Sequence, residues 1–104
     1  METLQFQFKA PSAKSSGNAT LSGVVGSGNL EILVRSGSDA GICAVTVKTS
    51  ARGFSQIWQA VLDEFCRHHA VGGTQIDIND MGATPAVVTL RLGQALGEYT
   101  GGAQ

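Results

Sequence analysis

Five stretches of the chain have the pattern of β-strands with one buried face. In the first, Leu4, Phe6 and Phe8 alternate with glutamines, which is the period of two that a strand requires. The others are rich in aliphatic and β-branched residues, which pack well on a pleated surface. The predicted strands cover residues 3–9, 21–25, 30–34, 42–48 and 74–79.

The second and third predicted strands form a hairpin over residues 20–35. Between them lies a four-residue turn: Gly26, Ser27, Gly28 and Asn29. Glycine suits such a turn because it adopts positive φ without steric cost. The hairpin predicts a small, mostly antiparallel sheet in the first half of the chain.

After residue 50 the hydrophobic spacing changes to threes and fours, which predicts an amphipathic helix of about 16 residues. Its apolar stripe is assigned to the core: Phe54, Ile57, Trp58, Val61, Leu62, Phe65 and Cys66. Two i,i+4 pairs, Asp63 with Arg67 and Glu64 with His68, lie on or near the outer face. We expect Gly72, with its neighbours, to end this helix.

A second helix is predicted from Pro85 to Tyr99, because Thr84 before Pro85 matches an N-cap followed by proline at the first helical position. Its apolar stripe consists of Val88, Leu92, Ala95, Leu96 and Tyr99. Gly93 and Gly97 weaken the helix, and a strand in which residues 88, 90 and 92 share a face remains an alternative.

The order strand, hairpin, strand, helix, strand, helix predicts an α+β fold of two layers, with both helices on one face of the sheet. Its strand-rich first half excludes a helix-bundle fold. A length of 104 residues with 42% hydrophobic content predicts one domain, residues 1–104. Within it we expect a loop over residues 10–17 and a mobile tail over residues 100–104.

Charge excludes some classes of partner. Only 14% of the residues are charged and the net charge is -1, so the chain lacks the basic excess that nucleic acid or an anionic membrane requires. No apolar run has the length of a membrane span, and the first residues lack the pattern of a secretory signal. We therefore expect a cytoplasmic location, with no nucleic acid and no membrane as partner.

The usual groupings of catalytic and metal-binding residues are not recognisable in the sequence. The residues around Ser27 do not form the G-x-S-x-G nucleophile elbow, and no phosphate-binding loop motif occurs. His68 and His69 are adjacent on one helix, so their side chains diverge, and we assign them to the helix end. The sequence therefore predicts no catalytic residue and no metal site.

The remaining titratable candidates have structural interpretations. Cys43 and Cys66 have no C-x-x-C spacing and are interpreted as small buried hydrophobic residues. Asp77 and Asp80, which could be neighbours at a strand end, are interpreted as solvated carboxylates. Ser27 has two interpretations, because a serine between glycines is a common turn residue and is also accessible enough for covalent attachment by another enzyme.

Two long segments of the chain resemble the malonate decarboxylase acyl carrier protein (delta subunit) family. One is GVVGSGNLEIL at residues 23–33, and the other contains IDI, DMGATPAVV and LRL between residues 76 and 92. The resemblance extends from Leu4 to about Glu98. Asn29 departs from it, since aspartate is more frequent there, but the serine is retained.

This resemblance implies that Ser27 carries 2'-(5''-phosphoribosyl)-3'-dephospho-coenzyme A through a phosphodiester, with Gly26 and Gly28 providing clearance. The thiol of the group would hold an acetyl thioester that is exchanged for malonyl, and decarboxylation would regenerate acetyl. The implied partners are the acyl-transferase and decarboxylase subunits and a prosthetic-group transferase. The chain itself would be a non-catalytic carrier.

Other functions remain open. The gamma chain of citrate lyase uses the same kind of prosthetic group and has a comparable Gly-Ala segment before its last helix. A non-catalytic scaffold subunit would use Ser27 only as a turn residue. A small standalone hydrolase is the poorest alternative, since it would need a catalytic grouping that the sequence does not reveal.

Overall fold

A computed structural model describes residues 1–12, 23–27 and 29–100. The described chain forms five strands and two helices, which follow in the order β1 Glu2–Lys9, β2 Gly23–Ser27, β3 Leu30–Ser36, β4 Ile42–Thr49, α1 Ser55–His68, β5 Thr74–Asp80 and α2 Pro85–Tyr99. The predictions made for residues 13–17, for residues 20–22, for Gly28 and for residues 101–104 lie outside the described residues. Every predicted strand and helix has its counterpart.

The strands form one sheet in the order β1-β4-β5-β3-β2. Neighbouring strands are antiparallel except β4 and β5, which are parallel and are connected through α1. The prediction of a mostly antiparallel sheet is confirmed. The parallel pair has a consequence for the site, because it brings the carboxyl ends of both strands, Thr49 and Asp80, directly opposite each other.

Both helices pack on the same face of the sheet, so the predicted two-layer α+β fold is confirmed. Burial alternates along β3, β4 and β5, and the inward side chains form one core with residues of α1 and α2. The core residues contributed by the strands are Leu30, Ile32, Val34, Cys43, Val45, Val47, Ile76 and Ile78.

Helix α2 begins and packs as predicted. Thr84 is its N-cap, and the threonine hydroxyl accepts a hydrogen bond from the backbone N–H of Val87 at 3.4 Å. All five residues of the predicted stripe are buried. Leu90 is 57% exposed, whereas a strand would have placed it on the same face as residues 88 and 92. The alternative strand is therefore wrong.

Helix α1 is shorter than predicted, with 14 residues. Phe54 and Ile57 were both assigned to the core, but they are 46% and 48% exposed. Phe54 precedes the helix as its N-cap residue, and Ile57 lies in the first turn, where the sheet no longer covers the side chain completely. Trp58 and the rest of the stripe are buried or half-buried as predicted.

The other chain segments differ in detail from the predictions. Residues 10–12 of the predicted loop are irregular except for one bridge between Ser12 and Gly72. Thr100 was assigned to a mobile tail, but it is 9% exposed and ends α2, with its N–H bonded to the carbonyl of Leu96 at 2.9 Å.

Among the described residues, no helix has the length and apolarity needed to cross a membrane.

Candidate functional site

Ser27 is the last residue of β2. It pairs with Leu30 of β3, so only residues 28 and 29 separate the two strands, and the predicted four-residue turn is too long. The ladder of β2 continues through Gly26, which pairs with Glu31. Because β2 is an edge strand of the described sheet, Ser27 has a neighbouring described strand on one side only.

The second resembling segment lies beside the hairpin. Leu30 pairs with Asp80 on its other side, and the backbone N–H of Met81 donates to the carbonyl of Asn29 at 2.8 Å. Ser27 is thus two strands from Asp80, which corresponds to about 10 Å between their backbones. The two segments that carry the resemblance therefore meet at one end of the sheet, where β2 and β5 end and β3 begins. We call this end of the strands the Ser27 edge.

The side chain of Asp80 links β5 to β4 and to the following loop through hydrogen bonds. Its side chain is buried, at 4% exposure for the residue, and faces the helices. One carboxylate oxygen accepts a hydrogen bond from the Thr49 hydroxyl at 2.8 Å. The other accepts from the N–H groups of Gly82 and Ala83 at 3.2 and 2.8 Å. The interpretation of Asp80 as a solvated carboxylate is therefore wrong, because the pleat of β5 turns it toward the core.

Asp77 lies on the opposite face of the sheet. Its carboxylate pairs with the Nε of Arg35 at 2.9 Å, and both side chains are partly exposed. Asp77 and Asp80 are three positions apart on a strand, so their side chains point in opposite directions. The possibility that they are neighbours is wrong, and they do not form a pair for acid–base chemistry.

An apolar pocket of about 280 Å³ lies directly behind Asp80. It is bounded by the ends of β4 and β5 and by the first turns of α1 and α2, and its lining consists of Thr49, Ala51, Phe54, Ile57, Trp58, Val61, Asp80, Gly82, Ala83, Pro85 and Val88. Phe54 and Ile57 are the half-exposed residues of its rim. This pocket was not predicted from the sequence. The signal for it was the predicted apolar stripe of α1, which continues beyond the buried residues to Phe54 and Ile57.

The histidines belong to the end of α1, as predicted. The His68 Nε2 and a Glu64 carboxylate oxygen are 2.9 Å apart, and the His69 ring stacks on Phe65 with 4.1 Å between centroids. The predicted pair of Asp63 and Arg67 is also present. Within the described ranges, no three histidine, cysteine or acidic side chains lie close enough together to hold a metal ion.

Both cysteines are buried and carry free thiols, which confirms their interpretation as core residues. A hydrogen bond with Cys43, together with burial, raises the pKa of the Cys66 thiol far above its ordinary range. Thr74 donates a further hydrogen bond to the Cys43 sulfur at 3.3 Å. Since the thiolate is the reactive form, Cys66 is chemically quiet in this position.

The geometry of this edge suits a covalently attached group. Ser27 ends an edge strand, and its neighbour Gly26 has no side chain that could obstruct an incoming enzyme. The carboxylate of Asp80 is already engaged by three donors and lies in the core layer. This edge therefore combines the end of β2 with an apolar pocket nearby.

Comparison with known proteins finds the family that the two segments resemble. The family model of the malonate decarboxylase delta subunit (MdcD) matches residues 18–99. A malonate decarboxylase acyl carrier protein from Acinetobacter calcoaceticus is 50% identical over 101 residues, which cover 97% of this chain and 99% of the relative. One from Burkholderia cepacia is 51% identical over 100 residues, covering 94% and 90% of the two chains.

A solved structure shows the same fold. The chain superimposes with a TM-score of 0.78 and 39% identity on a chain from the crystal structure of a Pseudomonas malonate decarboxylase hetero-tetramer in complex with malonate. The match covers 95% of this chain and 99% of the other. The similarity therefore extends over almost the whole chain.

Proposed function

This chain belongs to the malonate decarboxylase delta subunit family, as the resemblance predicted, and from this premise we propose that it is the acyl carrier subunit of a malonate decarboxylase, with Ser27 as its attachment site. The attached group is 2'-(5''-phosphoribosyl)-3'-dephospho-coenzyme A. When bound, it supplies a thiol whose malonyl thioester loses carbon dioxide more readily than free malonate.

The position of Ser27 is the observation that carries this proposal. The serine ends an edge strand, and the turn that follows it is bonded to the loop after β5 through Asn29 and Met81. Asp80 anchors that loop to β4 through Thr49. The backbone of the proposed attachment point is therefore paired with β3 on one side and has no neighbouring described strand on the other.

In this role the chain supplies position and no acid–base group. A tethered arm raises the local concentration of the acyl group at each active site that it reaches. The partners we propose are the acyl-transferase and decarboxylase subunits and a prosthetic-group transferase. The hetero-tetrameric state of the Pseudomonas enzyme supports the existence of such subunits.

The test is to produce the chain together with its prosthetic-group transferase and to measure intact mass. We expect the wild-type chain to gain the mass of the group and Ser27→Ala to gain none. Ser50→Ala is the matched control, because Ser50 is an exposed serine at the same edge of the sheet. It should be modified like the wild type.

Two outcomes would contradict the proposal. If the wild-type chain gains no mass, or Ser27→Ala retains the adduct, Ser27 is not the attachment site and a scaffold role becomes the better explanation. If the modified chain supports citrate cleavage and not malonate decarboxylation in a reconstituted complex, the chain is a citrate lyase carrier.

A further inference from the structure

We infer that the apolar pocket between α1 and α2 receives the acetylated end of the arm carried by Ser27 and excludes the malonylated end. This inference rests on the proposed function, because it takes the arm on Ser27 as given. It adds a resting place for one acyl form on the carrier itself.

The pocket lies within reach of an arm carried by Ser27. The pocket lies behind Asp80, which is two strands, or about 10 Å, from Ser27 in the sheet. A coenzyme-A-length arm spans far more than this distance, so its end can reach the pocket while the nucleotide part stays outside. The rim residues Phe54 and Ile57 are half-exposed, so the pocket is open to solvent beside the start of α1.

The volume of the pocket suits the end of the arm and not its nucleotide part. A dry apolar cavity of about 150 Å³ is large enough to bind benzene. The pocket, at about 280 Å³, therefore has room for an acetyl group, the thioester sulfur and the ethylene group that follows it. It lies at or below the small end of ordinary ligand pockets, about 300–1,000 Å³, so the nucleotide part of the arm does not fit.

The polarity of the lining favours acetyl over malonyl. The two polar side chains at the floor, Thr49 and Asp80, are hydrogen-bonded to each other, and the other Asp80 oxygen is occupied by two backbone N–H groups. These contacts leave no free donor at the floor. The only other polar side chain of the lining is Trp58, whose single neutral indole N–H does not replace the hydration of a carboxylate. A malonyl end would lose its hydration and face the carboxylate of Asp80, whereas an acetyl end only loses contact with water.

This difference has a consequence for the reaction cycle. The acetyl form would rest in the pocket, where water reaches the thioester poorly. The malonyl form would remain in solvent, where a decarboxylase subunit can bind it. The carrier would thereby present the form that the next reaction consumes.

Trp58 makes the inference testable, because it lines the pocket and is the single tryptophan of the chain. The chain is prepared unmodified, with the acetyl arm and with the malonyl arm, and intact mass confirms each form first. We expect the acetyl form to shift the indole N–H resonance of Trp58 and the methyl resonances of Val61 and Ala83. The malonyl form should leave them close to their positions in the unmodified chain.

The rate of acetyl thioester hydrolysis in a variant with a filled pocket is the second measurement. Val61→Phe fills the pocket, and Val87→Phe is the matched control, since both valines are half-buried in helices and only Val61 lines the pocket. Hydrolysis adds water to the acyl carbon, breaks the carbon–sulfur bond and releases acetate and the free thiol. We expect Val61→Phe to speed this loss about threefold or more, and Val87→Phe to match the wild type.

The inference is overturned if the acetyl arm leaves the Trp58 and Val61 resonances unchanged, or if the malonyl arm shifts them equally. Equal hydrolysis rates in the wild type and both folded variants would also overturn it. A chain that cannot be loaded at Ser27 at all counts against the proposed function instead, and the mass measurement separates the two failures.

Discussion

Asp80 connects three segments of the site through one side chain. Its carboxylate bonds to the hydroxyl of Thr49 at the end of β4 and to the loop that begins α2, and its backbone carbonyl accepts from the N–H of Ser50 at 3.0 Å. Gly82 assists because its φ of 106° lets the loop turn its N–H toward the carboxylate. The floor of the pocket depends on these contacts.

Replacing Asp80 tests this role. Asp80→Ala leaves a buried hydroxyl and two N–H groups without their acceptor, so we expect a loss of about 3–5 kcal/mol in the free energy of unfolding. Asp80→Asn keeps one oxygen for the N–H groups and should lose clearly less. Urea denaturation measures both. A loss below about 1 kcal/mol for Asp80→Ala would show that the network contributes little.

Both cysteine thiols are predicted to be unreactive in the folded chain. Cys43 and Cys66 are buried, and the raised pKa of Cys66 lowers its thiolate fraction at any pH below that value. We expect the native chain to react very slowly with a thiol reagent at pH 8 and the urea-unfolded chain to react at both thiols. Similar rates in the two states would contradict the burial of these residues.

At the scale of elements, Gly72 shows how tightly the segments around β5 are packed. A Cβ at this position would overlap with the backbone carbonyl oxygens of Ala10, Pro11 and Ala40. The N–H of Gly72 also donates to the Pro11 carbonyl at 2.7 Å. This glycine is required for a close approach of three chain segments, and not only for the end of a helix, which α1 reaches at His68.

Two glycine-to-alanine changes distinguish the steric need for glycine at position 72 from the general effect of glycine on helix stability. Gly72→Ala should lower the free energy of unfolding by about 2–3 kcal/mol, because backbone atoms cannot move aside easily. Gly93→Ala is the control, since nothing lies within 4 Å of an added Cβ there. It should be neutral or stabilise α2 by up to about 1 kcal/mol. Thermal denaturation measures both, and equal effects would contradict the close approach.

Over the whole molecule, the two faces of the sheet have different chemistry. One face is covered by both helices, while the other carries partly exposed polar groups such as Arg35, Asp77 and Gln75, whose amide donates to Asp77 at 3.1 Å. The pocket and the end of β2 meet at one edge of this two-layer body. The proposed carrier role uses that edge and leaves the rest of the molecule as its support.

A mixing experiment tests the role of the molecule in an assembly. If the chain occupies a place in the complex and supplies only the arm, Ser27→Ala should assemble normally and contribute no activity. Complexes formed from equal amounts of wild-type and Ser27→Ala chains should then have about half the malonate decarboxylase activity. Mixtures with Ser50→Ala should keep full activity. Unchanged activity with Ser27→Ala would contradict the attachment at this serine.

The amount that could be predicted from the sequence differs between elements. The helix α2 was predictable to its boundaries, because Thr84 and Pro85 mark its start locally and its stripe repeats with the helical period. The strands were predictable from alternation, but the end of β2 was not. Ser27 continues the ladder because Leu30 lies opposite it, and that pairing depends on the register of the hairpin.

The sequence by itself determined the kind and order of the elements, the stripe of α2 and the two segments that identify the family, because these depend on local spacing. The tertiary structure decided that β4 and β5 are parallel, that Asp80 is buried and that Phe54 and Ile57 form the rim of a pocket. The physical reason is that a local period sets which side chains share a face. Which face is covered, and by what, depends on residues distant in the chain.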